Sequence, residues 1–258
     1  MNSFFKRHSL LIFFVLAYSL SWGSYYILSG PFLFPFGSIL AALIMASITA
    51  GKDGLKDLLS SCLRWRVRFK WYLAALFVPT AIGLATVSAN VLLGAPMPTA
   101  TQLGPWYNIF LLFPVAMFDA PLWEETGWRG YALPHFPANR SPLANTLILG
   151  VLLAGWHLPI ALSGGVLAVP YLIAAVASAV VTNWVYYNAR ESALLAILYH
   201  TAANTIGLYF APMFSGPDLA RQFWLLAAMN VVVAIILVVV FGSHLRAEPR
   251  AERMPIVI

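Results

Sequence analysis

The sequence predicts an all-α protein, a polytopic membrane helix bundle of about eight transmembrane helices with a polar site inside the membrane. Two observations predict this fold class. The chain is 61% hydrophobic over 258 residues, well above the roughly 45–50% apolar content of soluble domains. Apolar windows of about 20 residues, the length that a helix needs to cross a bilayer, recur along the whole chain. We therefore expect a single integral membrane domain over residues 1–258.

The first apolar window follows Lys6 and Arg7, as the apolar part of a signal peptide would. Its apolar run is longer than that of a signal peptide and lacks a small-residue cleavage site, so we interpret it as a membrane helix. After the second window, the apolar residues of segment 53–65 are spaced for one helical face, which predicts a helix on the membrane surface. The eight predicted spans lie near residues 8–28, 32–50, 71–94, 106–133, 142–163, 168–188, 191–211 and 222–242.

The fifteen Lys and Arg residues predict the orientation, because basic residues collect in cytoplasmic loops. With eight spans, every Lys and Arg except Arg221 falls on one side, if Arg129 and Arg140 are placed in the connection between spans four and five. We therefore expect both termini in the cytoplasm and the chain in the cell membrane. The net charge of +6 then reflects topology and contacts to anionic lipid, not nucleic-acid binding. The single cysteine, Cys62, excludes an internal disulfide.

Three charged residues lie close together at 124–129, within the fourth predicted span, in a chain of which only 9% is charged. A charge at bilayer depth costs at least a few kcal/mol, so Glu124, Glu125 and Arg129 need a partner, an aqueous cavity or a catalytic use. Glu125 and Arg129 are four residues apart and can pair across one helical turn. Glu124 projects about 100° away and is available to activate water as a general base. Asp119 lies on the same span and could line the same cavity.

Two further spans contain polar side chains. His157 lies inside span five, where Pro159 predicts a helix kink and a freed backbone acceptor beside the histidine. His200 and Asn204 share one face of span seven and can hold a metal, orient a water or donate to an oxyanion. Taken singly, each could be a polar contact between helices, which is the role we predict for Asn183 in span six. Taken together, they predict one polar site inside the bundle.

These residues resemble the motifs of a known family, the CAAX prenyl protease and bacteriocin-processing (CPBP, or Abi) intramembrane proteases. The first motif, Glu-Glu-x-x-x-Arg, occupies 124–129, and the third, His-x-x-x-Asn, occupies 200–204. The second, Phe-x-x-x-His, occupies 153–157 with Leu153 in place of phenylalanine. The resemblance covers about residues 106–210. It implies an intramembrane site formed by Glu124, His157, His200 and Asn204, with Glu125 and Arg129 in supporting places.

The resemblance implies an endopeptidase that cleaves a membrane-associated peptide or protein in a cavity facing the cytoplasm. Two mechanisms fit the residues. In the first, Glu124 and His157 activate water while His200 and Asn204 stabilise the oxyanion. In the second, Glu124, His157 and His200 bind a divalent metal such as zinc, which lowers the pKa of a bound water. The sequence contains no His-Glu-x-x-His pattern of zincins, and the residues do not decide between the two mechanisms.

Two other classes of function also account for polar residues in a membrane. Carboxylates and histidines relay protons or bind substrates in transporters and proton-coupled carriers. No inverted repeat or matching pair of interrupted helices, the usual signs of a transporter, is visible in the sequence. A non-catalytic immunity or scaffold protein could share the fold. Hydrolysis is the leading hypothesis because the charged, histidine and amide positions are all present.

Overall fold

The computed structural model describes residues 2–27 and 33–246, and these residues form helices and connections with no strand among them. The fold is therefore the all-α polytopic membrane bundle that the hydropathy predicts. The helices are α1 (Asn2–Arg7), α2 (Ser9–Ile27), α3 (Gly37–Cys62), α4 (Phe69–Leu92), α5 (Ala100–Leu103), α6 (Asn108–Asp119), α7 (Pro121–Glu125), a π-helix (Thr126–Ala132), α8 (Pro142–Trp156), α9 (Leu158–Ser163), α10 (Ala168–Asn188), α11 (Ala193–Phe210) and α12 (Gly216–Phe241), with 3₁₀ turns at Leu133–His135, Gly165–Leu167, Ala211–Met213 and Gly242–His244.

Six helices of the described chain are long and apolar enough to cross a membrane, whereas eight spans were predicted. The six correspond to α2, α3, α4, α10, α11 and α12. The predicted spans 106–133 and 142–163 are not single helices, because each is interrupted near its polar residues. Spans four and five are therefore each built from shorter helices, as the kink predicted at Pro159 anticipates for span five, and both interruptions adjoin the predicted site.

Span four breaks between α6 and α7 at Ala120, which has φ −145° and ψ −50°. The cause is local, because Pro121 disfavours helical geometry in the residue before it and has no N–H to donate. The indole nitrogen of Trp123 donates to the carbonyl of Phe118 at 2.7 Å, which satisfies one acceptor near the break. The chain then continues through the short α7 into the π-helix, a rare form that occurs often at functional sites.

Span five breaks at His157, which ends α8 and precedes α9. This confirms the kink that Pro159 predicts. Aromatic side chains of α2 bind the carbonyl groups around the break. The Trp22 indole donates to the Trp156 carbonyl at 2.9 Å, and the Tyr25 hydroxyl donates to the Pro159 carbonyl at 3.3 Å. These contacts hold His157 at a fixed place between two short helices.

The second predicted span and the predicted surface helix are parts of one element, α3. Gly51 separates them with φ 61° and ψ −136°, a conformation that is essentially limited to glycine. The helix therefore bends at Gly51 without ending, and its second half carries Lys52, Lys56 and Cys62.

Close packing against α2, α3 and α8 positions the π-helix. A Cβ on Gly127 would lie 2.6 Å from the Cβ of Ser38 and 2.7 Å from its carbonyl oxygen, so only glycine permits this approach to α3. Trp128 is fully buried and makes aromatic contacts with Phe13 and Trp156, with ring centroids 5.6 and 5.5 Å apart. Because lipid tails are as apolar as side chains, close packing and polar contacts, rather than hydrophobicity, hold such helices together.

Basic side chains hold one end of the bundle together. Arg64 donates through Nη1 to the carbonyl of Arg190 at 2.6 Å. Arg246 donates to the carbonyl of Tyr187 at 2.9 Å and to Oε1 of Glu191 at 2.8 Å. We call this the basic end, and the connections that meet there are residues 63–68, 189–192 and 242–246. The predicted cytoplasmic residues Arg250 and Arg253 lie outside the described residues.

The opposite end of the bundle carries a single described cation, Arg221. Its guanidinium donates to Oδ1 of Asp218 at 2.6 Å and to Oδ1 of Asn90 at 2.7 Å. We call this the opposite end, and the connections that meet there are residues 93–107 and 211–215. The assignment of Arg129 to a basic loop was wrong, since it lies buried in the π-helix.

Candidate functional site

The predicted polar residues surround one cavity of about 530 Å³ inside the bundle. This volume lies within the usual range for ligand sites. Helices α4, α7, α8, α10, α11 and α12 and the π-helix form its walls. The residues that line it include Glu124, Glu125, Arg129, His157, His200 and Asn204, together with Asp119, which was proposed from its place on the span.

Glu125 and Arg129 form a buried ion pair across one turn, as their spacing predicts. Arg129 Nη1 donates to both carboxylate oxygens of Glu125, at 2.9 and 2.8 Å. Both side chains are at most 3% exposed. A buried charge left without a partner costs several kcal/mol, and a two-oxygen contact with an arginine offsets that cost.

Asn183 of α10 completes the surroundings of Arg129. Its amide oxygen accepts from Arg129 Nε at 2.9 Å, and its amide nitrogen donates to Oγ1 of Thr146 at 3.0 Å. Asn183 and Thr146 are both fully buried. The prediction of an interhelical hydrogen bond at Asn183 is confirmed, but the partner is the arginine beside the site. Thr146 was not predicted to belong to this network.

His200 makes its direct hydrogen bond with Glu125, while Glu124 lines the same cavity. The distance from His200 Nδ1 to Glu125 Oε1 is 2.9 Å. Since a carboxylate accepts, Nδ1 carries the proton and donates. The remaining ring nitrogen is Nε2, and the ring lies in the cavity wall with its side chain 23% exposed.

Glu124 lies beside His157. Its Oε2 is 4.0 Å from His157 Nε2, which is longer than a direct hydrogen bond. His157 Nδ1 lies 2.8 Å from the Leu153 carbonyl, and because a carbonyl can only accept, Nδ1 carries the proton. Nε2 of the neutral ring is then an acceptor directed toward the Glu124 carboxylate. A gap of this length between two polar groups suits a bridging water.

Tyr171 of α10 belongs to the site although it was not predicted. It lines the cavity and meets His157 edge to face, with ring centroids 5.7 Å apart. A tyrosine in an apolar helix is ordinary, so the sequence carries no signal for this contact. Tyr171 closes the side of the cavity beside the histidine and restricts the movement of its ring.

A divalent metal is the second mechanism that the residues leave open, and the donor set tests it. A zinc site needs at least three protein ligands that converge on one point. Among the residues that the structure describes, no group of three His, Cys, Asp or Glu side chains is gathered in this way. Hydrogen bonds at Nδ1 leave Nε2 of both His157 and His200 free, but these atoms and the Glu124 carboxylate are not gathered around one point among the described residues. This donor geometry does not fit a bound metal.

The cavity is not centred between the two ends of the bundle. It is lined by α11 from Tyr199 to the C-terminus of that helix, by α10 up to Thr182 and by α12 up to Asn230. All of these residues lie toward the opposite end. The cytoplasmic placement of the basic loops and the cytoplasmic opening of the cavity both stay predictions.

The segment that carries this site is similar to known proteins. Residues 105–206 match the family described as type II CAAX prenyl endopeptidase Rce1-like, and this segment contains all three motifs. A curated relative, CAAX prenyl protease 2 of Methanococcus maripaludis, is 24% identical over 107 residues. The aligned part is 37% of this chain and 38% of that relative, so the chain matches well under two thirds of the relative's length.

Proposed function

We propose that the chain is an intramembrane endopeptidase, because residues 105–206 match the Rce1-like family of CAAX endopeptidases. It hydrolyses a peptide bond of a membrane-associated peptide or protein. The observation that carries the proposal is the Glu124 carboxylate, held 4.0 Å from Nε2 of His157 in a cavity inside the bundle.

Water activation is the first step of the proposed reaction. A water held between Glu124 and His157 gives a proton to the Glu124 carboxylate as its oxygen forms a bond to the scissile carbonyl carbon. A positioned base of this kind contributes about 10²–10⁴ in rate. When the carbon–nitrogen bond breaks, the proton passes from Glu124 to the leaving nitrogen. The immediate products are a carboxylic acid and an amine, so atoms and charge balance, and proton transfer between them then gives a carboxylate and an ammonium group.

Stabilisation of the oxyanion falls to α11. The side-chain amide of Asn204 donates a hydrogen bond whatever the protonation of its neighbours. His200 donates through Nε2 only when its ring carries both protons, since Nδ1–H is directed to Glu125. Loss of one oxyanion donor typically lowers kcat by about 10²–10³.

The decisive experiment replaces Glu124 with glutamine, which keeps the shape of the side chain and removes the base. Cleavage of a membrane-anchored peptide should disappear while the protein still folds in the membrane, as measured by its thermal unfolding in detergent. The matched control is Asp57→Asn, which removes an exposed carboxylate of α3 and should leave cleavage unchanged. Cleavage that survives in Glu124→Gln would rule out the proposed mechanism. Substrate trapping with the same variant identifies the peptides that bind.

A further inference from the structure

The cavity lies nearer to the opposite end of the bundle than to the basic end. On α4 it is lined by Pro79 to Val87, in the half of the helix that leads to the connection 93–107. On the other side it reaches Ala211 and Pro212 of the connection 211–215 and Gln222 near the start of α12. The cavity therefore runs from the level of Glu124 toward the opposite end.

Charge distinguishes the two ends. The basic end holds the arginines that bond to connections 63–68 and 189–192, and α4 begins there with Arg68 and Lys70. At the opposite end Asp218 neutralises Arg221 at 2.6 Å. Basic connections remain in the cytoplasm during insertion, so the basic end is the cytoplasmic end. The cavity then lies in the half of the membrane away from the cytoplasm.

The chemistry of the cavity wall suits a peptide. Apolar side chains such as Ile82, Phe223 and Leu226 make up much of the wall, and Ser178, Thr182 and other hydroxyl and amide groups interrupt it. Sites for organic ligands combine a mostly apolar surface with a few polar groups in this way.

We propose that the cavity takes its substrate from the extracytoplasmic side, so that the substrate class is a membrane-anchored or exported peptide whose cleaved bond lies in the outer half of the membrane. This inference rests on the proposed protease function for the identity of the substrate. The direction in which the cavity opens does not depend on catalysis and can be tested without it.

Cysteine labelling tests the direction. Cys62 is the single cysteine of the chain, and Cys62→Ser keeps a hydrogen-bonding group beside Thr126. In that background, Ala175→Cys places a thiol in the cavity wall. Val166→Cys marks an exposed position at the opposite end, and Leu63→Cys marks an exposed position at the basic end. A membrane-impermeant maleimide is added to spheroplasts before and after permeabilisation.

We expect Val166→Cys and Ala175→Cys to be labelled equally before and after permeabilisation, and Leu63→Cys to be labelled only afterwards. The proposal is overturned if Ala175→Cys reacts only after permeabilisation. It is also overturned if the cavity thiol stays unlabelled on both sides while Val166→Cys reacts from outside, or if the pattern of the two markers is reversed.

A second measurement uses two anchored reporter peptides that carry the same cleavable segment, one on each side of the membrane. Cleavage of the external reporter alone supports the proposal, and cleavage of the cytoplasmic reporter alone overturns it. Labelling from outside with neither reporter cleaved by the wild-type protein supports the direction of opening and counts against the protease function. The two proposals can therefore fail separately.

Discussion

His200 donates through Nδ1 to Oε1 of Glu125 at 2.9 Å, which links the third motif to the second of the two adjacent glutamates. Glu125 therefore serves two partners, since the same carboxylate accepts from Arg129. Glu124, the glutamate before it, meets the other histidine. The two neighbouring carboxylates thus divide the two histidines between them, and only one of the carboxylates is neutralised by an arginine.

This division predicts how the ion pair contributes to stability. Arg129→Met should lower the free energy of unfolding by about 3–5 kcal/mol, because it leaves the Glu125 charge buried beside a neutral side chain. The double variant Glu125→Gln, Arg129→Met should lose less than Arg129→Met alone, since no unpaired charge remains. Thermal and chemical unfolding in detergent of the wild-type protein, the single variants Glu125→Gln and Arg129→Met, and the double variant measures the coupling. Strictly additive losses would contradict the pair as described.

Asn183 should act on catalysis through Arg129. Asn183→Leu removes the acceptor of Arg129 Nε, a hydrogen bond to a charged group worth about 1.5–3 kcal/mol. Without this contact, the hydrogen-bonded side chains of Arg129, Glu125 and His200 should change position. We therefore expect kcat to fall while KM changes little. Thr146→Val is the graded control, because it removes only the acceptor of the Asn183 amide and should have a smaller effect. Equal changes in kcat and KM in both variants would indicate a purely structural role.

The donor geometry predicts that chelators do not affect cleavage. Since three candidate ligands do not converge among the described residues, dialysis against EDTA or 1,10-phenanthroline should leave the rate of cleavage unchanged. Metal content of the purified protein, measured by mass spectrometry, gives a second reading that is independent of activity. Loss of cleavage in chelator with recovery on addition of zinc would favour the metal mechanism.

Two glycines of the π-helix form a matched pair for testing its packing. A Cβ on Gly127 would meet the backbone of Ser38 at 2.7 Å, whereas a Cβ on Gly130 would meet the flexible Cδ1 of Leu58 at 3.0 Å. Gly127→Ala should therefore destabilise the protein by about 1–3 kcal/mol through overpacking. Gly130→Ala should be close to neutral, because alanine also favours helical conformation. Unfolding temperatures that are equal for the two variants would refute the close approach to α3.

Local rules in the sequence predicted much of the site. The pairing of Glu125 with Arg129 needs only the spacing of one helical turn, and the kink at His157 follows from Pro159. The break at Ala120 could have been predicted on the same grounds, because Pro121 follows it directly. These features depend on residues within a few positions of each other, which is why sequence spacing is sufficient to predict them.

Contacts between distant helices could not be predicted in this way. Whether His200 meets Glu124 or Glu125 depends on how α7 is rotated relative to α11, and the change from α-helix to π-helix at Thr126 alters that rotation. The partner of Asn183 depends similarly on the arrangement of three helices. The position of the cavity along the membrane normal also could not be predicted from the sequence. The motif residues identify part of its lining, but they do not indicate the direction in which it opens.

The separation of the basic end from the cavity has a consequence for how such a protein is directed to its targets. Among the described residues, Arg64, Arg190 and Arg246 do not line the cavity, so the residues that we propose orient the chain are separate from those that we propose catalyse hydrolysis. Under both proposals, the compartment whose peptides are cleaved is decided once, while the chain is inserted into the bilayer. Exchanging charges between the connections would invert the protein and give an unaltered active site an entirely different set of substrates.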